Sequence, residues 1–277
     1  RQEQGHYMTF QANAQRLSGI GLIAILSLVA CGNAPAPAPA MRPGETGIVA
    51  SVSSGDTLQL KTGLVVRLGG IDAPPSQPGN ALGLQAAATL RTLTLGKTVE
   101  LRYGGATRDR SKRALAYVFT RNGTASQWVQ TELLNRGLAV VRTYEDNRVG
   151  SNAMFTAERA ARLAKRGIWA SPIYAVKPAV PSALANSMDS FQIVEGVVVE
   201  AAARGKVIFL NFGDDWRTDV TAVVPNDSLI RWRGGADAVT ALEGRRVRVR
   251  GRVVDRNGPS IYVTHPEQVE VIGPART

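Results

Sequence analysis

The sequence predicts a mainly β protein with helices, of the α+β class, built as two successive five-stranded barrels. Two observations carry this prediction. Short β-branched and apolar runs are separated by glycine turns, and helical segments interrupt the first series of runs more often than the second. The chain has 277 residues, 44% of them apolar, so two modest domains can each bury a core.

The first block, residues 47–171, begins as a β-meander and continues with alternating helices and strands. Glycines follow each helical segment, at Gly96, Gly137 and Gly167, where a left-handed residue commonly ends a helix. Strands are expected at 47–52, 57–60, 64–68, 98–103 and 114–120, and helices at 81–94, 126–136 and 154–166. A five-stranded barrel with three helices fits this order.

The second block, residues 191–277, is mainly β. Strands are expected at 193–200, 207–212, 218–224, 246–253 and 261–264, with a helix near 236–242. Five strands in this length indicate an OB-type barrel. The segment between the blocks, 172–190, is rich in Pro, Ala and Ser without a clear period, which is typical of a linker.

The first residues predict a targeting signal. We expect Met8 to be the start, with residues 1–7 upstream of it. Arg16 and an apolar run over 19–30 precede Cys31. This order resembles a bacterial lipoprotein signal peptide, in which the cysteine is acylated.

The expected signal therefore spans residues 1–31, with lipidation at Cys31 and export from the cytoplasm. Because Gly32, and not Asp, follows the cysteine, attachment to the outer membrane is favoured. Residues 32–46 alternate Ala and Pro over much of their length, which favours an extended spacer.

Charge and residue counts limit the function further. The formal net charge is +11, which favours a nucleic acid or an anionic membrane as partner, although a basic surface can also serve solubility alone. Cys31 is the one cysteine, so an intrachain disulfide is excluded. His6 and His265 are the two histidines, and neither lies in a pattern for Ser-His-Asp or Cys-His catalysis.

Four charged residues of the first block suggest phosphodiester chemistry. Asp56 lies in a turn and Asp72 follows a strand, and two carboxylates at strand ends can hold a hard divalent cation. Arg67 and Arg113 can bind a phosphate and stabilise its developing charge. Each residue alone is more typical of a turn or a solvated strand face, so the argument depends on the set.

These residues lie in five short motifs. In chain order they are Gly-Asp56-Thr, Val-Arg67-Leu-Gly-Gly-Ile-Asp72-Ala-Pro74, Asp109-Arg-Ser-Lys-Arg113-Ala-Leu-Ala-Tyr117, Leu-Leu-Asn-Arg-Gly137-Leu-Ala139 and Gly167-Ile-Trp169. Together, over residues 47–171, they resemble the staphylococcal nuclease (thermonuclease) family. The resemblance implies an OB-fold barrel with three helices and hydrolysis of DNA or RNA.

The resemblance also implies roles for particular residues. Asp56 and Asp72 would bind Ca²⁺, with the carbonyl of Ala73 as a further ligand. Arg67 and Arg113 would contact the scissile phosphate.

Two further positions are implied as substrate contacts. Arg110 occupies a place where the family often has a basic residue near the terminal phosphate. Tyr144 lies close to where the family has nucleotide-contacting tyrosines.

The sequence departs from the family pattern at two positions. Pro75 stands where the family has the Glu that orients or deprotonates the attacking water, and Ser54 stands where an acidic residue is common. Fewer carboxylates predict weaker calcium binding. Two hypotheses follow: a calcium-dependent nuclease with lowered activity, or a lipoprotein that binds nucleic acid or another polyanion without cutting it.

In the second block, Gly196…Gly205-Lys-Val-Ile-Phe-Leu faintly resembles Gly47…Gly55-Asp-Thr-Leu-Gln-Leu of the first block. Lys206 stands at the place of Asp56, so a second nuclease site is not expected there. The strand 246–253 of this block alternates valine and arginine, which predicts one apolar face and one basic face. The basic face, with Phe212, Trp216 or Trp232 for stacking, would suit a phosphate backbone. A solvated strand face with core aromatics is the alternative. His265 is expected in a turn or at an edge.

Overall fold

The computed structural model describes residues 41–122 and 125–274, and the first barrel occupies the earlier part. Its strands are β1 (Arg42–Ser54), β2 (Thr57–Leu60), β3 (Val65–Leu68), β4 (Ile71–Asp72), β5 (Thr98–Tyr103), β6 (Ala114–Asn122), β7 (Ala125–Trp128) and β8 (Val140–Val141). Its helices are α1 (Ala81–Thr94), α2 (Val129–Asn135) and α3 (Ser151–Leu163).

Five strands close the first barrel in the order β3-β2-β1-β5-β6, because β3 also pairs in parallel with β6. Alternate residues point inward, as the period of a strand requires. Leu58 and Leu60 of β2 and Val99 and Leu101 of β5 are buried in one core. The five predicted strands of this barrel are confirmed, as is the helix over 81–94.

Two helices of the first block differ from their predicted bounds. Residues 125–128 form β7, not the start of a helix, because Trp128 pairs across the hairpin with Phe119 and stacks on it at 5.7 Å between ring centroids. The third helix lies three residues earlier than predicted. Lys165, with φ of 50°, leaves the helical conformation just beyond its end, before Gly167 is reached.

The second barrel contains the remaining strands and helices. Its strands are β9 (Lys177–Pro178), β10 (Phe191–Val197), β11 (Glu200–Arg204), β12 (Val207–Asn211), β13 (Thr221–Pro225), β14 (Arg245–Asp255), β15 (Pro259–Tyr262) and β16 (Val269–Pro274). Its helices are α4 (Pro181–Leu184) and α5 (Gly235–Thr240). Nowhere in the described ranges is a helix both long and apolar enough to cross a membrane.

The second barrel repeats the strand order of the first. Its sheet runs β11-β12-β13-β15-β14-β10, with β13 and β15 parallel. Only Val198 and Val199 separate β10 from β11, so one bent path joins the two ends of the sheet. The predicted run 193–200 therefore covers most of β10 and reaches only the first residue of a second strand, β11, which was not predicted. The second, Glu200–Arg204, is mostly alanine, a residue depleted in strands, and its pairing with β12 imposes the extended conformation.

The two predicted linkers are partly structured. Residues 42–46 belong to β1, and 172–190 contains β9 and α4. The division of the chain into domains stays a prediction. Each barrel nevertheless has its own apolar core.

An apolar cluster and a set of ion pairs join the barrels. Ile168 and Trp169 of the first block pack with Ile193 of β10. Beside them lies the interface cluster, which alternates acids and arginines: Glu158, Arg162, Arg250 and Glu270.

At its centre the guanidinium of Arg250 donates to both carboxylate oxygens of Glu158, at 3.0 and 3.1 Å. Both side chains are 1% exposed. The interface cluster is therefore sealed from solvent at its core.

Candidate active site

Asp56 lies in the tight turn between β1 and β2, and its carboxylate is buried. It accepts hydrogen bonds from the hydroxyls of Ser54 at 2.9 Å and Thr57 at 3.1 Å, and from the backbone N–H of Ala73 at 2.8 Å. Ser54, which replaces an acid of the family pattern, thus acts as a donor that orients this carboxylate. The side chain of Asp56 is held in one position before any ligand binds.

Arg67 joins the two predicted metal-binding aspartates. It pairs with Thr57 across β2 and β3, which brings its side chain beside Asp56. One guanidinium nitrogen contacts the Asp56 carboxylate, and the other lies 2.7 Å from Oδ1 of Asp72. Burial alone would lower the pKa of Arg67, but the two carboxylates raise the pKa above its usual value. The guanidinium is therefore a fixed positive charge.

Asp72 binds a second arginine that the sequence did not indicate. β4 pairs with β8 so that Asp72 lies opposite Val140, and Arg142 follows β8 directly. Nη1 of Arg142 lies 2.7 Å from Oδ2 of Asp72. The four residues Asp56, Arg67, Asp72 and Arg142 form the cleft cluster, in which two acids and two arginines alternate.

Arg142 also connects the cleft cluster to aromatic rings. Its guanidinium lies 5.7 Å from the ring centroid of Tyr144 and 5.2 Å from that of Phe191, at the start of β10. Tyr144, a predicted substrate contact, is exposed. The second barrel thus contributes a side chain to the edge of the cleft, through a contact between positions too distant in the chain for a motif to reveal.

Arg113 lies next to the strand of Arg67 but makes a different ion pair. It directly precedes Ala114, which pairs with Val66. Its Nε lies 2.7 Å from Oδ2 of Asp109, and the ion pair and hydrogen bonds from Arg113 lower the pKa of Asp109 despite partial burial, which raises it. No ion pair joins Arg113 to Asp56 or Asp72 in the residues described.

Arg110 is exposed in the turn before β6. It has no acidic partner within ion-pair distance in the described ranges. Its guanidinium is therefore available to an anion from solvent. The structure does not link it directly to the cleft cluster.

The backbone at Pro75 packs directly against helix α1, with no space between them for a further side chain. A Cβ added to Gly83 of α1 would lie 2.0 Å from the carbonyl oxygen of Pro75, so helix and loop are in direct backbone contact. Pro74 and Pro75 line a small groove of about 140 Å³, shared with Tyr174 and Phe191. Among the described residues, Asp72 is the only acid that lines this groove, so no other carboxylate of that part of the chain replaces the Glu of the family pattern there.

The donor set fits a hard divalent cation. Asp56 and Asp72 converge on one positive charge, the guanidinium of Arg67, so the two carboxylates lie close enough to share a single cation. The set is small, because among the described residues no group of three or more acidic, His or Cys side chains is placed to hold a metal. The ion and Arg67 would compete for the same two carboxylates.

The arginines of β14 do not form the predicted open basic face. Val247, Val249 and Val253 are buried as predicted. The prediction is wrong for Arg250, which is buried against Glu158. Arg246 and Arg248 both pair with Glu195 of the neighbouring strand, at 3.3 and 2.7 Å. Arg252 is largely exposed and pairs with Asp189, and Arg245 at the start of the strand is exposed as well.

The three aromatic residues proposed for base stacking also differ in exposure to solvent. Phe212 and Trp232 pack against the second core, whereas Trp216 is 53% exposed. His265 is buried and hydrogen-bonds Thr143 of the first barrel at 2.8 Å, so it lies at the interface of the barrels. Cys31 lies outside the described residues.

One comparison with known protein families found a match within the first barrel. The family model described as staphylococcal nuclease homologue matches residues 65–171, from β3 to the end of the first block. No curated protein matches the chain. The match contains Arg67, Asp72, Arg113 and Arg142, while Asp56 lies before it on strands of the same barrel. Residues 65–171 are therefore similar to the staphylococcal nuclease homologue family.

Proposed function

We propose that the first barrel is a calcium-dependent nuclease of low activity that hydrolyses phosphodiester bonds of DNA or RNA. The observation that carries the proposal is the cleft cluster. There Arg67 joins Asp56 and Asp72, so that a cation site and a phosphate-binding guanidinium occupy one cleft.

The arginines bind the substrate in this proposal. Each guanidinium offers a planar pair of donors that matches two phosphoryl oxygens. Arg67 and Arg142 exchange a carboxylate partner for the phosphate, and Arg113 approaches from the adjoining strand. All three then face the charge that grows on the phosphoryl oxygens in the transition state. Tyr144 and Arg110 contact the flanking nucleotides.

The carboxylates released by Arg67 hold the metal. Asp56 and Asp72, with the carbonyl of Ala73, would bind Ca²⁺, which supplies positive charge toward the phosphate and lowers the pKa of water. Asp56 keeps its donors from Ser54, Thr57 and the Ala73 N–H, so its orientation does not depend on Arg67.

Pro75, at the position of the general base, is expected to lower the rate of phosphodiester cleavage. Proline has no proton acceptor on its side chain, and loss of a general base commonly lowers the rate by about 10²–10⁴-fold. We therefore expect metal-dependent cleavage that is slow compared with that of a nuclease that keeps this Glu.

A second function is favoured by the same two observations. Pro75 removes the base, and the carboxylates of the cleft cluster already have arginine partners. A domain of this kind would bind a polyanion without cutting it. The two hypotheses differ in one measurable property, the appearance of fragments.

The test is incubation of the purified protein with single-stranded DNA, in calcium or in EDTA. We expect fragments only with calcium, and at least about 100-fold less cleavage in Asp72→Ala and Arg113→Ala. Arg233→Ala is the matched control, because Arg233 is exposed and distant in sequence from the cleft motifs. Intact DNA that is bound in both buffers would establish the binding function instead.

We also propose that the protein is exported and anchored by lipid at Cys31, with the outer membrane as its site. The support is the order of charge, apolar run, small residue and cysteine in residues 8–31. Cys31→Ser should release the protein from the membrane fraction. A variant that stays in that fraction at full length would contradict the anchor.

A further inference from the structure

The second barrel has a groove on its outer face, in a different barrel from the nuclease cleft. It has a volume of about 480 Å³ and is lined by β11, β12, β13 and β15 and by two loops. Residues that alternate with the lining, such as Ile208, Leu210 and Ile261, point inward to the core. The groove is therefore formed by the outward-facing side chains of the sheet, and the strand register fixes their positions.

The register arranges the lining into three rows across the strands. The first row is Glu200, Asn211, Thr221 and Ser260; the second is Ala202, Phe209, Val223 and Tyr262; the third is Arg204 and Val207. The first row is polar, and the second is aromatic or apolar. The third row ends in the cation of Arg204.

The polar row is internally ordered, and it is buried except at Glu200, which is exposed at its end. Asn211, Thr221 and Ser260 are each at most 5% exposed, although they face the groove and not the core. The amide of Asn211 donates to Glu200 at 3.0 Å, and Thr221 donates to Asn211 at 3.3 Å. A buried row of donors and acceptors at a groove wall can form hydrogen bonds with the polar edge of a ligand.

The middle row offers flat apolar surface. Phe209 and Tyr262 lie two strands apart with Val223 between them, and both are partly exposed. Trp216, from the loop after β12, lines the same groove and is 53% exposed. Three aromatic rings around one groove suit a planar ring as ligand, because every nucleobase has a face that can stack.

Two arginines complete the lining. Arg204 ends the third row and is exposed, and Arg256 contacts the hydroxyl of Tyr262. Across the described ranges neither Arg204 nor Arg256 has a carboxylate within 4.0 Å, whereas Arg246, Arg248, Arg250 and Arg252 of β14 are each paired with one. Their charges are free for an anionic ligand.

We propose that this groove binds one or two nucleotides of a single-stranded nucleic acid. The base stacks on the aromatic row, its edge faces the polar row, and the phosphate lies against Arg204 and Arg256. A neutral sugar would use the polar row and the rings but has no group for the two cations. The groove replaces the arginines of β14 as the nucleic-acid contact of the second barrel.

The test measures binding of the full-length protein to a fluorescent pentathymidylate with phosphorothioate linkages, in EDTA, by anisotropy. We expect Arg204→Glu and Trp216→Ala each to weaken binding by about tenfold or more. Both side chains are exposed, so the variants should keep the wild-type melting temperature. Arg233→Glu and Ile230→Ala are matched controls, because these residues are exposed and do not line the groove. We expect them to change affinity less than about twofold.

The outcomes separate this proposal from the nuclease proposal. If the groove variants bind normally while Arg113→Ala loses binding, the groove is overturned and the cleft remains. If DNA is never cut but the groove variants lose affinity, the groove stands and the nuclease fails. Displacement of the probe by a neutral hexasaccharide, with binding that survives Arg204→Glu, would assign the groove to a glycan and overturn the nucleotide. Absence of wild-type binding would also overturn it.

Discussion

The cleft cluster and the interface cluster have the same composition, two acids alternating with two arginines, but they differ in solvent exposure. In the interface cluster Glu158 and Arg250 are 1% exposed. In the cleft cluster Asp56 and Arg67 are 9% and 17% exposed, but at its open edge Asp72 is 28% and Arg142 is 34% exposed. Ion pairs that solvent reaches exchange partners at low cost, whereas a buried charge that loses its partner is strongly destabilising. We therefore expect the ion pairs at the open edge of the cleft cluster to exchange partners and those of the interface cluster to hold the barrels together.

Arg250→Ala should have the largest effect on the free energy of unfolding. It leaves the carboxylate of Glu158 buried with only Arg162 and the N–H of Val141 as partners, and we expect a loss of about 3–5 kcal/mol. Denaturant unfolding measures it. A loss below about 1 kcal/mol would mean that the interface cluster relaxes as easily as the cleft cluster.

His265 tests the same interface through pH. Burial lowers the pKa of His265 from its usual 6.5 to about 4, and the nearby charges of Arg148 and Arg231 contribute in the same direction. Because the unfolded chain binds the proton more tightly, stability from this group is complete above pH 6.5 and is lost as pH falls toward 4. We expect a loss of at most about 3 kcal/mol over this range. His265→Asn should remove that dependence, which urea unfolding at several pH values would show.

Arg142→Ala should cost little stability. Its partner Asp72 keeps Arg67 and is open to solvent, so we expect a change below about 1 kcal/mol. The affinity of the protein for single-stranded DNA in EDTA should fall. A loss of stability as large as that of Arg250→Ala would show that Arg142 is a structural residue.

Arg252→Ala should have the smallest effect. Arg252 lies two residues from Arg250 on the same strand, but it is 63% exposed and its partner Asp189 is 74% exposed. We expect a change below about 0.5 kcal/mol, within reach of replicate denaturant curves. This variant is the control for Arg250, since both remove one charge from β14.

Strand positions were predictable wherever the pattern is local. The strands of the first barrel alternate buried and exposed residues between glycine turns, so their bounds follow from short windows of sequence. β11 was missed because alanine carries no strand signal, and α3 was displaced because Lys165 adopts a conformation that no local pattern required.

Contacts between distant segments were not predictable. The motifs brought attention to Asp56, Arg67 and Asp72, and their side chains do meet, while their catalytic roles stay a prediction. Arg142 joins them only because β4 pairs with β8. Arg142 and Asp72, which form the hydrogen bond, lie 70 residues apart in the chain. Arg250 was expected in solvent because the alternation of β14 identifies two faces but not what covers the second.

The apolar contact of Trp169 and Ile168 with Ile193, beside the buried guanidinium of Arg250, has a consequence for dissection of the protein. A protease that cuts within residues 172–190 breaks the chain between the barrels but leaves this non-covalent contact, the seam between the barrels, intact. The two fragments should elute together on gel filtration and separate only in denaturant. Work on either half alone would expose the seam to water, so isolated halves would be poor substitutes for the whole.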